Sequence, residues 1–181
     1  MQQKIKTDTP EVLAALSRAK QLCARLATMT IDDDGYRALM AELVPGLKAS
    51  SVIMPPFQCD YGTNIVTGEH VFINSGCTFL DGAQITIGDY TLIGPDCHLY
   101  TPHHPIDYIE RRLPEEYSFP ITIGNDCWLC GNVTICPGVT IGDRCIVAAG
   151  SVVTHSFPPD TLIAGNPAVG KRKLEADAGQ E

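Results

Sequence analysis

The sequence predicts a mainly β fold, a parallel β-helix of hexapeptide repeats with an N-terminal α-helical cap and one extruded loop. The main observation is an aliphatic residue at every sixth position of the second half: Ile123, Leu129, Ile135, Ile141, Val147 and Val153. A period of six fits neither the 3.6-residue turn of a helix nor the two-residue alternation of a strand. It is typical of a solenoid whose coils have three flat sides and take about 18 residues. Short strands of a sandwich are the alternative, but they recur at looser spacing.

The earlier part of the chain carries the same repeat in fragments. Two triplets recur at six, in frames offset by two residues: Ile73, Phe79, Ile85 and Ile87, Ile93, Leu99. The offset predicts a small insertion at a corner of the coil. Stacked coils should place Ile123 beside Ile141 at roughly 4.8 Å, the spacing of neighbouring strands. The pairs Gly124-Asn125 and Gly142-Asp143 are expected at corners, where the backbone needs unusual dihedral angles.

The second observation is an amphipathic region before the repeat, which predicts a helical cap over residues 1–49. Residues 1–8 are expected to be frayed. Thr9-Pro10-Glu11 is a typical helix start, and the helix should run to about Met29. Residues 32–34, three aspartates, are expected to cap a second helix that Pro45-Gly46 ends. A bare solenoid end exposes core and strand edges, so these helices should cover the first coil.

The third observation is a break in the repeat at residues 100–120, YTPHHPIDYIERRLPEEYSFP. The β-helix domain is predicted over 50–165, with this segment as an extruded loop and 166–181 as a C-terminal tail with a disordered polar end. A loop of this length inside a compact repeat is uncommon unless it has a function. It also carries two of the five histidines.

Composition narrows the function classes. The net charge is −8 and no basic stripe is present, which disfavours a nucleic-acid partner. No apolar run reaches the roughly 18 residues of a membrane span, and the first residues are polar, so neither a signal peptide nor a membrane span is predicted. A cytoplasmic protein is the default expectation.

The eight cysteines allow two interpretations. Cys127-x-x-Cys130 has the spacing of half a zinc site. The repeat offers a simpler account, because Cys77, Cys97, Cys127 and Cys145 all fall in its small inward position, where cysteine acts as a small hydrophobic residue. We favour the second account and expect reduced thiols and no metal requirement.

Several motifs together resemble the maltose and galactoside O-acetyltransferases, which are hexapeptide acyltransferases. The motifs are CDYGTNI (59–65), YTPHHPID (100–107), SFPITIGNDCW (118–128), PGVTIGD (137–143), AAGSVVT (148–154) and AGNPA (164–168). The resemblance covers roughly residues 50–170. It implies a left-handed β-helix, transfer of acetyl from acetyl-CoA to a sugar hydroxyl, and a homotrimer with sites between neighbouring subunits.

Acetyl transfer to a hydroxyl needs a base, and histidine can accept a proton at neutral pH. His104 matches the family's catalytic histidine, while His103 is its neighbour in the same loop. Glu115 stands where the resemblance places the acid that holds that histidine, although a solvated loop acid is the alternative. The thiolate of CoA is a good leaving group, so direct transfer in a ternary complex is predicted.

The resemblance also implies acceptor contacts at Asp60, Asn74 and Asp81, since carboxylates and amides suit sugar hydroxyls. Asp81 has an alternative role as a corner residue. One branch of the family has a second acid where this chain has Gly82. The resembling enzymes also have a longer N-terminal segment that contributes an acid to the acceptor site, so the identity of the acceptor stays open. Serine or an antibiotic is an alternative acceptor, and a non-catalytic trimeric scaffold is an alternative function. A γ-type carbonic anhydrase is disfavoured, because its three metal-binding histidines are spaced differently.

For CoA, the resemblance implies contacts at Gly131, Ala149 and Thr154, where small residues permit close approach. Arg172 matches a basic residue near the nucleotide, and guanidinium suits phosphate. His155 replaces the usual lysine after Thr154. Trp128 precedes an inward aliphatic residue and should point outward, either beside the thioester or into a trimer interface.

Overall fold

The computed structural model describes residues 3–175, which form a three-sided β-helix of about six coils behind two α-helices. Each side is a parallel sheet that collects one strand per coil. The first side holds β2 (Val52–Ile53), β5 (Phe72–Ile73), β8 (Leu92–Ile93), β13 (Trp128–Leu129), β16 (Ile146–Val147) and β18 (Thr161–Gly165), with β19 (Ala168–Lys173) antiparallel at its edge. The second side holds β3 (Gln58–Cys59), β6 (Thr78–Leu80), β9 (His98–Tyr100), β14 (Thr134–Ile135) and β17 (Val152–Val153). The third side holds β4 (Ile65–Thr67), β7 (Ile85–Ile87), β12 (Ile121–Ile123) and β15 (Thr140–Ile141).

The predicted register of the later coils is confirmed. Ile123 pairs with Ile141, and the same spacing of 18 residues recurs on the other two sides. All six residues of the main repeat are buried, at 1% exposure or less. They point inward because side chains alternate across a strand and only one face of each side meets the core.

The early coils are longer, as the two-residue offset predicts. Ile53 pairs with Ile73 and Ile73 with Ile93, a spacing of 20 residues. In β7 both Ile85 and Ile87 are buried, so the strand belongs to both frames of the repeat. The extra residues lie at the corner between the second and third sides, over residues 60–64 and 81–84. The loop 101–120 leaves the third coil at this same corner.

We call the corner between the third and first sides the ladder corner. Glycine was expected there for its dihedral angles, and the structure gives it a different role. The residues with positive φ there are His70, Tyr90, Asp126, Arg144 and Asp160. Gly124 and Gly142 have another reason to be glycine, because the next coil passes very close. A Cβ on Gly124 would lie 2.4 Å from Asp143 Oδ1 and 2.6 Å from its backbone nitrogen.

The cap consists of α1 (Pro10–Leu26) and α2 (Tyr36–Leu43). The Thr9 hydroxyl caps α1 as predicted, accepting a hydrogen bond from the Val12 amide at 3.3 Å. The three aspartates do not cap α2, whose N-cap is Gly35 with φ of 93°. The Tyr36 hydroxyl donates to the Ile53 carbonyl at 2.6 Å, which ties the cap to the first coil.

Residues 3–6 form a strand, which corrects the expectation that they fray, while residues 1–2 lie outside the described part of the chain. Strand β1 (Gln3–Lys6), which we call the strap, pairs antiparallel with β11 (Glu115–Ser118). Strand β10 (Pro102–His103) pairs with the other edge of β11. The loop 100–120 therefore contains its own small sheet, together with a 3₁₀ turn at Glu110–Arg112.

The C-terminal segment is also ordered as far as it is described. Strands β18 and β19 form a hairpin, so residues 168–173 belong to the β-helix and not to a loose tail. The polar end at 176–181, for which disorder was predicted, lies outside the described residues. Neither of the helices within residues 3–175 is long and apolar enough to cross a membrane.

Candidate active site

The corner between the second and third sides, which we call the acceptor corner, carries the candidate residues Asp60, Asp81 and His104. It differs in length from coil to coil, since the chain turns over residues 60–64, 81–84 and 101–120 in the first three coils. Stacked coils bring these three segments together, because each coil lies directly on the next.

Asp81 holds the first two turns of the acceptor corner together. It is fully buried, and its Oδ1 accepts hydrogen bonds from the amides of Asp60 at 3.1 Å and Tyr61 at 2.9 Å. Its Oδ2 accepts one from the Asn64 amide at 3.2 Å. Burial raises the pKa of Asp81, and these amides oppose the rise. The geometry favours the corner role for Asp81, while its contact with an acceptor stays a prediction.

Asp60 is half-buried beside that network, and its backbone amide donates to Asp81. Burial raises the pKa of Asp60 to about 6, and the charges of Asp81 and Glu116 add to the rise. Lys20 of α1 opposes it. Burial also raises the pKa of the neighbouring Tyr61 to about 12. The acceptor corner is thus acidic and partly desolvated.

His104 follows β10 directly and is exposed to solvent. The preceding His103 packs edge-to-face against Phe119, with ring centroids 6.1 Å apart. The two neighbours therefore differ in surroundings, since His103 is held by an aromatic contact and His104 has none among the described residues. A histidine on such a segment can meet a substrate.

The two glutamates of β11 point to opposite faces, because side chains alternate along a strand. Glu115 forms a 2.7 Å ion pair with Lys4 of the strap. Glu116 lies on the other face, near His104, Asp60 and Tyr61 in electrostatic range. Glu116, which sequence reasoning missed, is therefore the glutamate of β11 on the side of His104. The predicted role of Glu115 toward His104 stays a prediction, and its observed contact is with Lys4.

Asn74 lies at a different corner of the prism from Asp60 and His104. It follows β5, where its side-chain oxygen accepts a hydrogen bond from the Ser75 amide at 2.8 Å. One side of the prism separates the two corners, a distance of roughly 15–20 Å for six extended residues. A single chain does not bring these predicted acceptor residues together.

The residues predicted to contact CoA also divide between the two corners. Gly131 and Ala149 lie on the corner of Asn74, where the Gly150 amide donates to the Gly131 carbonyl at 3.1 Å. Thr154 and His155 lie on the acceptor corner and are exposed. A Cβ on Gly131 would meet Pro95 at an ordinary 3.5 Å, so packing within this chain does not require glycine there.

Trp128 points outward as predicted and is 50% exposed. It stands in a row of outward apolar side chains that strand pairing aligns along the first side, the apolar stripe: Val52, Phe72, Leu92, Trp128, Ile146 and Leu162. Leu92 is 48% exposed, so the stripe presents apolar surface to its surroundings.

Arg172 lines an open cavity of about 830 Å³ with Arg144, Asp160 and Lys173. Asp160 binds the Arg144 guanidinium through two hydrogen bonds of 2.6 and 2.9 Å. Arg172 and Lys173 supply positive charge to this cavity, which Glu175 in the same lining offsets in part.

The cysteines fill the interior as the repeat predicts. Cys77, Cys97, Cys127 and Cys145 are all buried. The Cys127 thiol donates to the Gly142 carbonyl at 3.1 Å inside the coil, and burial raises its pKa to about 11. Among residues 3–175, no cluster of three or more His, Cys, Asp or Glu side chains could hold a metal ion.

This chain is similar to known acetyltransferases in sequence and in fold. A family model described as bacterial transferase hexapeptide (six repeats) matches residues 120–155. The chain is 44% identical to the hexapeptide-repeat acetyltransferase VCA0836 of Vibrio cholerae, whose crystal structure contains acetyl-CoA. That comparison covers 94% of this chain and 92% of the Vibrio chain, with a TM-score of 0.88.

Two further structures are similar over nearly the whole length. A maltose O-acetyltransferase of Clostridium difficile is 34% identical, with a TM-score of 0.91, over 96% of this chain and 94% of the other. A galactoside acetyltransferase in complex with CoA is 33% identical, with a TM-score of 0.90, over 96% of this chain and 87% of the other. These similarities confirm the resemblance that the sequence motifs indicate.

Proposed function

The chain belongs to the hexapeptide-repeat acetyltransferases, and from that premise we propose that it moves acetyl from acetyl-CoA to a hydroxyl of a sugar. One observation carries the proposal. The exposed His104 lies on the acceptor corner within electrostatic range of the half-buried Glu116, whose charge also acts on the half-buried Asp60. A base next to hydrogen-bond acceptors suits a polyhydroxylated acceptor.

In the proposed reaction, His104 takes the proton of the acceptor hydroxyl as its oxygen attacks the thioester carbonyl. The oxyanion that develops needs hydrogen-bond donors, for which backbone amides of the neighbouring coil are suited. Collapse of the intermediate breaks the carbon–sulfur bond, and the CoA thiolate leaves. The proton held by His104 then passes to that sulfur, so the reaction needs no acyl-enzyme and no metal.

We assign acetyl-CoA to a groove between neighbouring subunits, with Trp128, Gly131 and Ala149 from one corner and Thr154 and His155 from the other. Gly131 supports this assignment, because the chain leaves room for a Cβ there and its own packing does not require glycine. The phosphates would lie toward Arg172, where Lys173 adds a second positive charge.

We also propose a homotrimer with sites between subunits. Asn74, Gly131 and Ala149 lie on one corner while Asp60, His104 and Thr154 lie on another, so two chains are needed to assemble one site. The apolar stripe supplies a surface for that contact. Leu92→Glu should give monomers in analytical ultracentrifugation and lose turnover, whereas Thr86→Glu on the third side should stay trimeric. A monomeric wild-type protein would contradict the trimer.

The function is tested by release of CoA thiol from acetyl-CoA with maltose, glucose, galactosides, amino sugars, serine and chloramphenicol as acceptors. Wild type should release thiol with a sugar, and His104→Ala should reduce kcat by roughly 10²–10⁴-fold with unchanged thermal unfolding. His103→Ala is the matched control and should retain most of the activity. Near-wild-type turnover by His104→Ala would refute the mechanism. Serine or chloramphenicol as the sole acceptor would refute the sugar, and acetyl-CoA binding without transfer would favour a scaffold.

A further inference from the structure

The Glu116 side chain lies at the acceptor corner, beside Gly82. It is half-buried, and no hydrogen bond or ion pair holds its carboxylate among residues 3–175. Burial raises its pKa, and the nearby His104 opposes the rise. Its charge also acts on Asp60 and Tyr61, so the carboxylate lies within electrostatic range of three candidate site residues.

Gly82 explains how β11 brings Glu116 so close to the coil. A Cβ on Gly82 would lie 2.4 Å from Ser118 Oγ and 3.4 Å from Glu116 Oε1. Ser118 and Glu116 share one face of β11, and that face packs directly on the backbone of the corner. A side chain at position 82 would meet the side chains of Ser118 and Glu116 first, so glycine leaves room for both at this corner.

We propose that Glu116 is a specificity-determining residue of the acceptor site, which accepts a hydrogen bond from the acceptor and excludes anionic acceptors. The inference rests on the proposed function and narrows its substrate class to neutral or cationic sugars. A carboxylate that no protein group satisfies can accept from a sugar hydroxyl or an ammonium group.

The charged groups around Glu116 support the proposed exclusion of anionic acceptors. Asp60 and Asp81 add negative charge to the corner. His104 acts on Glu116 as a cation when protonated, and Lys20 is the cation that acts on Asp60. A phosphate or carboxylate on the acceptor would meet two half-buried carboxyl groups in a partly desolvated corner. Like charges at such sites disfavour binding strongly.

The test compares methyl glucoside with glucose 1-phosphate, which keep the same free hydroxyls and differ in charge at the anomeric carbon. We expect wild type to favour methyl glucoside at least tenfold in kcat/KM. Glu116→Gln should lower kcat/KM for methyl glucoside by about tenfold and reduce the preference over the phosphate, because a charge-assisted hydrogen bond and a repulsive charge are both lost. The KM for acetyl-CoA should not change.

Two variants separate this role from a structural one. Glu116→Asp keeps the charge and should keep the preference against the phosphate. Glu115→Gln alters the opposite face of the same strand and should also keep that preference. Turnover with an unchanged preference in Glu116→Gln overturns this inference alone. Failure of wild type to acetylate any sugar overturns the proposed function and this inference with it.

Discussion

The ladder corner and the acceptor corner are built by the same repeat and show opposite designs. At the ladder corner each coil binds the next in the same way. Asp89 Oδ1 accepts from the Glu69 amide, Asn125 Oδ1 from the Asp89 amide and Asp143 Oδ1 from the Asn125 amide, all at 2.8 Å. At the acceptor corner the first two turns are short, whereas the third extends over residues 101–120.

The difference shows where this fold can vary without losing its core. The ladder corner saturates its side-chain oxygens within the protein, so it stabilises the stack. At the acceptor corner the Asp81 carboxylate accepts from backbone amides, whereas within residues 3–175 no hydrogen bond holds the side chains of Asp60, Glu116 and His104. The candidate residues His104, Asp60 and Glu116 lie at the corner where the repeat is irregular, and an added loop there leaves the three sheets in register.

The largest expected effect on stability comes from a substitution that separates two coils at the ladder corner. Gly124→Ala places a methyl group 2.6 Å from the Asp143 backbone nitrogen, so two coils must separate. We expect a loss of about 2 kcal/mol or more in the free energy of unfolding, and Tm lower by about 5 °C. Differential scanning calorimetry measures both. Gly131→Ala is the matched control, because its methyl group meets only Pro95 at 3.5 Å; Tm should hold while the KM for acetyl-CoA rises severalfold. Equal Tm losses in the two variants would contradict the comparison.

A smaller effect should distinguish the acceptor corner by its pH dependence. The pKa of Asp60 is raised from 3.8 to about 6, so between these pH values the folded protein holds a proton that the unfolded chain releases. Stability from this group therefore falls as pH rises from about 4 to 6. Asp60→Asn should gain stability relative to wild type across that window in urea titrations. A difference between the two proteins that is independent of pH would refute the desolvated state of Asp60.

The smallest effect concerns the strap. Lys4→Ala removes the ion pair with Glu115, whose partners are both partly solvated, so Tm should hardly change. Amide hydrogen exchange in β11 should nevertheless become faster, because the edge of the small sheet loosens. Lys6→Ala removes the same charge from the same strand and should leave that exchange unchanged. A large loss of Tm in Lys4→Ala would mean that the strap stabilises the whole fold.

The fold was predictable where its signal is local. The pairs Ile123 with Ile141 and Leu129 with Val147 follow from a repeat that every coil restates. The outward position of Trp128 followed from the same period. The corner glycines were interpreted through dihedral angles, whereas Gly124 is glycine because the adjacent coil is close, and spacing in sequence carries no information on that distance.

The site was predictable only in part, because its contacts join distant segments. His104 was found through its motif. The face on which Glu115 and Glu116 point depends on how β11 pairs with the strap, and no local pattern in Gln3–Lys6 indicates that pairing. A shift of the strand register by one residue would place Glu116 on the face of Lys4 and Glu115 on the face of His104.

The strap also determines the order in which the protein can fold. Neighbouring coils join residues 18 or 20 positions apart, so the solenoid can grow one coil at a time. Gln3 pairs with Ser118, so the strap must wait for a late part of the loop to be synthesised before it can pair. Closing that long chain segment is slow compared with stacking a coil. The small sheet that carries the candidate base His104 therefore gains its outer strand late in folding.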